Sequence, residues 1–356
     1  MLICDLELGD SPWTRLAGGS IEGVLRWNGT ETPGVLARIR GAHSRRFPRK
    51  SLQVDMRERR LPDGPPDGHS VRRIHLNADY IDPTRMRSAL CFSLFHRAGV
   101  PAPLCRHVWL HVSGEPAGIY MALESVDRDF CRRRGWKPGP IYYALNRNAN
   151  FALVSSTTRA LKQPLESGYK PVHGADCTPL RRLLMDLNLA PDRTFAAVAD
   201  RCFDVEGYLR WLMVAVFVGN RDGFVHNYAL YRNPDSGQFC IIPWDYDATW
   251  GIDVHGRPAR LNRVPVGGWN WLSNRLLSVP ALRRRYRELF LASLDTILSP
   301  AEVIPLIDRM SVELGTWIDK ESALLGHEER FSTGVDGLKR WAVDRRNLLL
   351  SELDEL

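Results

Sequence analysis

The feature that most constrains this chain is an apolar run that ends abruptly at a polar segment. Residues 208–218 are apolar on nearly every face, which is typical of a fully buried helix. The polar segment 219–228 follows at once, with an acid at Asp222 and an amide at Asn227. A buried helix therefore delivers both polar side chains onto one loop.

A predicted hairpin brings a second acid to this loop. Two short strands are expected at 228–232 and 239–242, joined by a turn of sequence Asn-Pro-Asp-Ser-Gly, and Asp245 follows the second strand. Protein kinases use the same Asp-x-x-x-x-Asn spacing, with a metal-holding acid at the end of a following strand. Taken alone, the spacing better fits a helix cap and a turn residue. The second acid favours a functional role over these structural ones, because a carboxylate at a buried strand is costly unless something compensates its charge.

The composition excludes several classes of protein. The chain has 356 residues, enough for two domains or lobes, and its 44% apolar and 25% charged residues are typical of a globular protein. No apolar run approaches the roughly 20 residues of a membrane span, and the acidic N-terminus lacks the pattern of a secretory signal. We therefore expect no membrane partner. The seven cysteines are scattered, so we expect reduced thiols and a cytoplasmic location.

A cluster of positive charge lies in the N-terminal part of the chain. The net charge is +7, and between Arg38 and Arg60 there are nine Lys or Arg residues and only two acids. Such a cluster can bind nucleic acid, a phosphorylated ligand or solvent alone. Most such clusters are simply exposed to solvent. These bases lie within and around a predicted strand pair and not in a disordered tail, which weakens that interpretation. No recognised nucleic-acid-binding motif accompanies them, so the sequence does not favour a nucleic-acid partner.

The N-terminal third reads as strands with one helix. Strands are expected at 20–27, 34–40, 51–56, 71–76, 106–112 and 118–123. Between the fourth and fifth strands, Asp82 and Pro83 are expected to begin a helix that Gly99 ends.

The rest of the chain reads as loops and helices. Residues 140–205 lack a clear pattern and are expected to be loop-rich, and 252–272 form a further loop. Three amphipathic helices, roughly 280–298, 301–325 and 335–355, close the chain, and Trp341 and Arg345 are expected in the core stripe of the last.

These patterns predict an α+β fold of the bilobal, protein-kinase-like kind. The β-rich N-lobe is expected at 1–123, a hinge-like connector at 124–127 and a mainly helical C-lobe at 128–356.

Several segments, taken in order, resemble the signatures of the spore-coat-protein-H (CotH) kinase family. They are 38–51, 77–83 with Arg87, 118–127, 222–227 and 243–251. Several motifs in one order are far more specific than any single motif. The resemblance implies an atypical, protein-kinase-like fold that moves the γ-phosphoryl group of ATP to Ser or Thr of a protein substrate, with Mg²⁺ or Mn²⁺.

The resemblance also implies a role for each matching residue. Lys50 would be the nucleotide-phosphate lysine, and Asp222 the catalytic acid of the loop. Asn227 would be a metal ligand and Asp245 the metal-binding acid of the second motif. Asp247 could share or replace the role of Asp245, and the sequence does not separate the two.

Two parts of an ordinary protein kinase are absent from the sequence. There is no Gly-x-Gly-x-x-Gly loop, and the helix after Asp82 offers no Glu to pair with Lys50. Candidates to grip the phosphates instead are Arg40, Ser44 and Arg45. Glu124 is either a hinge residue near the adenine or a turn acid, and both readings stay open.

Two other functions stay open at this point. The Asp245-Tyr246-Asp247 sequence is an Asp-x-Asp, a metal–diphosphate pattern of glycosyltransferases, and kinase-like folds can also transfer nucleotidyl groups. An alternating βα half should precede the acids of a glycosyltransferase, whereas β-rich chain precedes them here. A non-catalytic nucleotide- or nucleic-acid-binding module is the second alternative. The sequence carries no signature of an oligomeric state.

Overall fold

A computed structural model of the chain describes residues 1–41, 44–57, 60–61, 70–325 and 330–356. It is a mixed α+β structure with a β-rich N-terminal region and a mainly helical C-terminal region, as the sequence predicts. The chain divides into two compact units. The first contains Met1–Ala89, Pro103–Arg133 and Ile307–Val335, and the second Leu90–Ala102, Arg134–Leu306 and Asp336–Leu356. None of the described helices has the length and apolar composition that crossing a bilayer requires.

The first unit contains a closed β-barrel. Its strands are β1 (Leu2–Glu7), β2 (Ile21–Trp27), β3 (Thr30–Ile39), β4 (Leu52–Met56), β5 (Arg73–Asn77), β6 (Cys105–Val112) and β7 (Glu115–Glu124). Neighbours follow the order β1-β2-β3-β4-β5-β7-β6, and parallel pairing of β1 with β6 closes the barrel. The six predicted strands are confirmed. The sequence analysis did not predict β1, which pairs with a strand far along the chain.

Alternating side chains fill the barrel with apolar groups. Completely buried examples are Leu25, Val35, Val54, Ile74 and Val108. Burying one such side chain contributes about 1.5–3 kcal/mol, so the barrel has a substantial core of its own. The short helices α1 (Pro12–Gly18) and α3 (Arg128–Arg133) belong to the same unit.

Helix α2 (Arg87–Arg97) begins later than the sequence predicts. The fully buried Asp82 carboxylate accepts the amide of Thr84 at 2.9 Å and that of Arg87 at 2.8 Å. Arg85 is left-handed, with a φ of 60°, which interrupts a helix. The predicted start at Asp82 and Pro83 is therefore wrong, because a turn follows Asp82 and the helix begins only at Arg87, whose amide Asp82 accepts.

A buried carboxylate, that of Glu321, organises part of the first unit. Glu321 lies on α9 (Pro300–Leu325), and its side chain is only 6% exposed. One oxygen accepts Arg49 Nη1 at 2.6 Å and the amide of Ile119 at 2.7 Å. The other oxygen accepts Nε and Nη2 of Arg85 at 3.2 and 3.1 Å. Glu321 therefore joins α9 to β7 and to the loops before β4 and α2.

These donors keep Glu321 ionised. Burial by itself would raise the pKa of Glu321, but the positive charges of Arg85 and Arg49 and the amide of Ile119 outweigh it and lower the pKa from 4.5. Gly118 makes the close approach possible, because a β-carbon there would lie 2.5 Å from Oε1 of Glu321.

The second unit contains an antiparallel sheet and most of the helices. Its strands are β8 (Ile141–Ala144), β9 (Tyr169–Pro171), β10 (Tyr228–Arg232) and β11 (Phe239–Pro243), in the order β11-β10-β8-β9. Its helices include α4 (Thr178–Leu189), α5 (Asp192–Cys202), α6 (Val205–Phe217), α7 (Trp271–Leu277), α8 (Pro280–Leu294) and most of α10 (Phe331–Asp354). The predicted hairpin and the three closing helices are confirmed. The expectation that 140–205 is loop-rich is confirmed for the stretch between β8 and β9 and is wrong for the part that contains α4 and α5.

Helix α6 is the buried helix that the sequence predicts. Ten of its 13 residues are buried. Asp204 caps its N-terminus by accepting the amide of Gly207 at 2.9 Å, and the left-handed Gly219, with a φ of 70°, follows its C-terminus. Because apolar side chains surround the helix on all faces, α6 is a fixed support for the segment that follows it.

Replacing Glu321 by Gln should lower the free energy of unfolding by about 3 kcal/mol at neutral pH, since breaking a buried ion pair typically costs about 3–5 kcal/mol. The folded-state pKa of Glu321 is lowered, so its contribution is present at neutral pH and disappears as the pH falls below 4.5. The difference between the wild-type chain and the variant should therefore shrink in acid. Urea unfolding followed by circular dichroism at a series of pH values measures it.

The matched control is Glu31→Gln, because the Glu31 side chain is 54% exposed and pairs with Arg26 at 2.9 Å. Loss of this exposed pair should change the free energy of unfolding by less than about 1 kcal/mol. Equal effects of the two substitutions would contradict the role given to Glu321.

Candidate active site

The predicted phosphate lysine, Lys50, lies in the first unit just before β4. Its ammonium donates hydrogen bonds to the backbone carbonyls of Arg45, at 2.7 Å, and of Phe47. The neighbouring Arg49, not Lys50, pairs with the buried Glu321, at 2.6 Å. The helix after Asp82 offers no glutamate to pair with Lys50. In this unit the carboxylate comes from Glu321 on α9, and it pairs with Arg49.

The other phosphate-gripping candidates lie beside Lys50 in the same unit. Arg40 donates a hydrogen bond to the side-chain oxygen of Asn77. Arg45 donates to the carbonyl of Gly41 at 2.9 Å, on its own loop. The side chain of Ser44 lies outside the described part of the structure. Their roles toward a nucleotide stay predictions.

Glu124, the candidate hinge residue, is the last residue of β7 and is only 2% exposed. One carboxylate oxygen pairs with Arg133 at 2.7 Å, and the other accepts the amide of Leu104 at 3.0 Å. The carboxylate thus ties β7 to α3 and to the residue before β6. A contact with adenine stays a prediction.

In the second unit, Asp222 opens a short 3-10 turn, Asp222–Phe224, just after α6. The buried Asn220 fixes this turn, because its side-chain oxygen accepts the amide of Gly223 at 2.9 Å. The Asp222 carbonyl also accepts the amide of His226 at 3.1 Å. The Asp222 side chain is 28% exposed, and its Oδ2 lies 4.0 Å from Nε2 of His226.

Asn227 and Asp245 lie at one end of the β10–β11 hairpin. Asn227 precedes β10 and Asp245 follows β11 by two residues, and in an antiparallel pair these positions are neighbours. The amide of Trp244 donates to the carbonyl of Asn227 at 3.0 Å, which ties the two segments together. Both Asn227 and Asp245 are left-handed, with φ of 61° and 60°. Residues other than glycine rarely adopt this conformation, and it concentrates at functional sites.

The charges of both acids act on the imidazole of His226. Burial lowers the pKa of His226, the negative charges of Asp222 and Asp245 raise it, and the positive charge of Arg147 lowers it, with a net decrease from 6.5. The ring is therefore neutral at neutral pH, and both carboxylates act on it. Its Nδ1 is buried without a hydrogen-bond partner within the described residues.

The buried Tyr246 separates Asp245 from Asp247 and anchors this segment to α6. Its hydroxyl accepts a hydrogen bond from Trp211 Nε1 at 3.1 Å, and burial holds the pKa of Tyr246 well above 10. Asp245 is exposed and Asp247 is partly buried. The left-handed backbone at Asp245 distinguishes the two acids, but it does not decide which binds a metal.

The donor set at this end of the hairpin suits a hard divalent cation. Carboxylate and amide oxygens are the ligands that Mg²⁺ and Mn²⁺ prefer. Across the described ranges, no three His, Cys, Asp or Glu side chains form a metal-binding group. An ion held here would therefore also need phosphate and water oxygens, which Mg²⁺ commonly uses in nucleotide sites.

Sequence reasoning missed several residues that hold these candidates in place. Arg49 and Glu321 are 272 positions apart, so no local pattern joins them. Asn220 lies in the polar segment 219–228 and Tyr246 in the motif 243–251, but neither received a role. Arg345 did carry a signal, because a charged residue interrupts an otherwise apolar stripe.

Comparison with known proteins gives a family match and two similar proteins. Residues 37–349 match the family described as CotH kinase protein. The inner spore coat protein H of Bacillus subtilis (strain 168) is 34% identical over 319 residues, which cover 89% of this chain and 86% of that protein. The inner spore coat protein H-like protein of the same organism is 24% identical over 246 residues, 68% of each chain.

A solved structure also overlaps with this fold. It is the complex of the Shewanella oneidensis MR-1 toxin–antitoxin proteins HipA and HipB with operator DNA, at 14% identity and a TM-score of 0.35. The overlap covers 80% of this chain and 59% of that chain, and a likeness of this size supports no conclusion. The family match and the identity to protein H agree with each other, and the chain belongs to the CotH kinase protein family.

Proposed function

We propose that the chain transfers the γ-phosphoryl group of ATP to a Ser or Thr hydroxyl of a protein substrate. The observation that carries this proposal is that Asn227 and Asp245 share one end of the β10–β11 hairpin, with the imidazole of His226 4.0 Å from the carboxylate of Asp222. Phosphoryl transfer depends mainly on alignment and charge neutralisation, for which acids and an amide are suitable groups. Membership of the CotH kinase protein family supports the same reaction.

Asp222 accepts the proton of the incoming hydroxyl. A bond forms between that oxygen and the γ-phosphorus, the bond from the γ-phosphorus to its bridging oxygen breaks, and ADP leaves. Asn227 and Asp245 hold Mg²⁺ or Mn²⁺, and Asp247 shares or replaces the role of Asp245. When bound, the ion neutralises charge on the phosphates.

The residues of the first unit act on the nucleotide. Lys50 contacts the phosphates as a point charge, helped by Arg40, Ser44 and Arg45. Glu124 is the candidate residue near the adenine. A bilobal, kinase-like arrangement belongs to the same proposal.

The class of substrate follows from the relatives. The names of both Bacillus subtilis proteins refer to the inner spore coat, so we propose a Ser- or Thr-containing coat protein as the substrate to test. The cytoplasmic location stays a prediction from the sequence.

Asp222→Asn and Asp245→Asn should each reduce the rate of phosphoryl transfer at least about 100-fold. This is the lower end of the range of rate losses expected when a catalytic acid or base is removed. Asn keeps the size of each side chain and tolerates the left-handed backbone at Asp245. The measurement is incorporation of label from γ-labelled ATP with Mn²⁺ into a Ser-rich protein. Intact mass of the product should show an added phosphate.

Asp235→Asn is the control for the lost charge, because Asp235 lies in the hairpin turn, is 61% exposed and pairs with Lys137. It should keep wild-type transfer. Wild-type transfer by either site variant would overturn the assignment. An added nucleotide or hexose would instead identify one of the alternative reactions.

Asn227→Gly should raise the Mn²⁺ concentration that gives half-maximal transfer at least about tenfold, because it removes an oxygen ligand while glycine accepts the left-handed backbone. The measurement is transfer as a function of Mn²⁺ after EDTA treatment. Asn28→Gly, at another left-handed asparagine with a φ of 49°, is the control and should leave the metal dependence unchanged. An unchanged metal dependence in Asn227→Gly would exclude Asn227 as a ligand.

A further inference from the structure

Two side chains of α10 contact the C-terminal end of α6, within the second unit. Arg345 is fully buried and donates to the carbonyl of Val216 through Nη2 at 2.9 Å and Nε at 3.3 Å. Trp341, one helical turn earlier, donates from Nε1 to the carbonyl of Phe217 at 3.0 Å. The last carbonyls of a helix lack partners within the helix and carry partial negative charge, so these donors stabilise the end of α6.

The indole of Trp341 also lies between two glycines that bound the acid-bearing segments. A β-carbon on Gly219 would come within 2.7 Å of Cζ2 of Trp341, and one on Gly251 within 3.0 Å of Cε3. Gly219 precedes the turn that carries Asp222, and Gly251 follows the segment that carries Asp247. One rigid ring therefore packs against the backbone of both segments.

A backbone hydrogen bond joins the same two segments beside the indole. The amide of Trp250 donates to the carbonyl of Val218 at 2.8 Å. This bond alone does not fix the segments, because both flanking glycines have a wide range of backbone conformations. The contacts of Trp341 with Gly219 and Gly251 restrict that freedom.

Arg345 extends the contact to the irregular segment between β11 and α7. Its Nη1 donates to the carbonyl of Leu261 at 2.8 Å, and its Nη2 to that of Val264 at 2.6 Å. Burial lowers the pKa of Arg345 to about 10, so the guanidinium stays charged at neutral pH. A buried charge is costly unless hydrogen bonds compensate it, and here three backbone carbonyls do so.

We infer that Trp341 is a positioning residue that holds the Asp222 turn and the Asp245–Asp247 segment at a fixed spacing, and that Arg345 supports it by fixing the end of α6 from which the Asp222 turn starts. The inference rests on the proposed function for its effect on catalysis, but the positioning itself is a property of the fold. Neither side chain is assigned any contact with nucleotide, metal or substrate. Removing Trp341 should loosen both segments, and removing Arg345 should loosen the end of α6 and the segment around Leu261 and Val264, in neither case with loss of an acid.

Hydrogen–deuterium exchange of the full chain tests the positioning directly. In Trp341→Leu, amides in 219–227 and 246–252 should exchange at least about tenfold faster than in the wild-type chain, because their local opening becomes easier. In Arg345→Met the increase should cover 216–222 and 259–266. Arg345→Lys should give a smaller increase, since one ammonium replaces part of the hydrogen bonding.

The matched control is Leu353→Ala, which removes a fully buried side chain further along the same helix. It should destabilise the chain, as core Leu→Ala changes do by about 2–5 kcal/mol, without selective exchange in these segments. Equal exchange in the control and in Trp341→Leu would overturn the inference. If Trp341→Leu does not fold, Trp341→Phe, which loses the bond to Phe217 but keeps a ring, replaces it.

Transfer assays then test the catalytic consequence. In Trp341→Leu the Mn²⁺ concentration for half-maximal transfer should rise about tenfold, as for other residues that orient metal ligands, while the rate at saturating Mn²⁺ largely recovers. A general loss of folded protein would lower the rate at every Mn²⁺ concentration equally. Unchanged metal dependence, despite faster exchange, would overturn the catalytic part. If the wild-type chain transfers no phosphate, the proposed function fails, and the exchange results still decide the positioning.

Discussion

The register between β10 and β11 is the constraint on which the candidate active site depends. Tyr228 pairs with Pro243, so Asn227 lies beside Trp244, next to Asp245. Because side chains alternate along a strand, a slip of one residue would move Asn227 and Asp245 apart and turn the core side chains outward. The amide of Asn227 also donates to the carbonyl of Ala144 in β8, at 3.2 Å, so the start of β10 is held from both sides.

In each compact unit a buried ionised group joins several loops, Glu321 in the first unit and Arg345 in the second. Glu321 gathers two guanidinium groups and a backbone amide, whereas Arg345 gathers backbone carbonyls only. Buried ions contribute little net stability, because desolvation offsets their attraction. Removing a partner of such a group is costly, because it leaves a buried charge without compensation. The buried Asn220, which is uncharged, fixes the Asp222 turn on a smaller scale.

The sequence predicted those parts of the fold that follow from local patterns. Helix α6 was evident from its apolar faces, the hairpin from its turn residues, and most barrel strands from alternation. The start of α2 could not be predicted, because Arg85 adopts a left-handed conformation and its side chain binds a glutamate that is distant in sequence. Strand β1 was missed, and it pairs in parallel with the distant β6. Helices α4 and α5 were missed although α4 has apolar residues at helical spacing, at Leu180, Leu183, Leu184 and Leu187.

The same division applies to the candidate site. Asp222, Asn227 and Asp245 belong to short motifs, so their spacing could be read from the sequence. The residues that hold them in place could not be predicted, because Trp341 is distant in sequence from Gly219 and Gly251 and contacts them only in the folded structure. The roles of Lys50 and its neighbours toward a nucleotide stay predictions.

The most direct test of the central claim is anomalous diffraction from crystals grown with Mn²⁺ and a non-hydrolysable ATP analogue. We expect a manganese peak within coordination distance of the Asn227 side-chain oxygen and of the carboxylate of Asp245 or Asp247, in contact with the phosphates. A manganese–nucleotide complex bound away from this end of the β10–β11 hairpin would contradict the proposed phosphotransferase site.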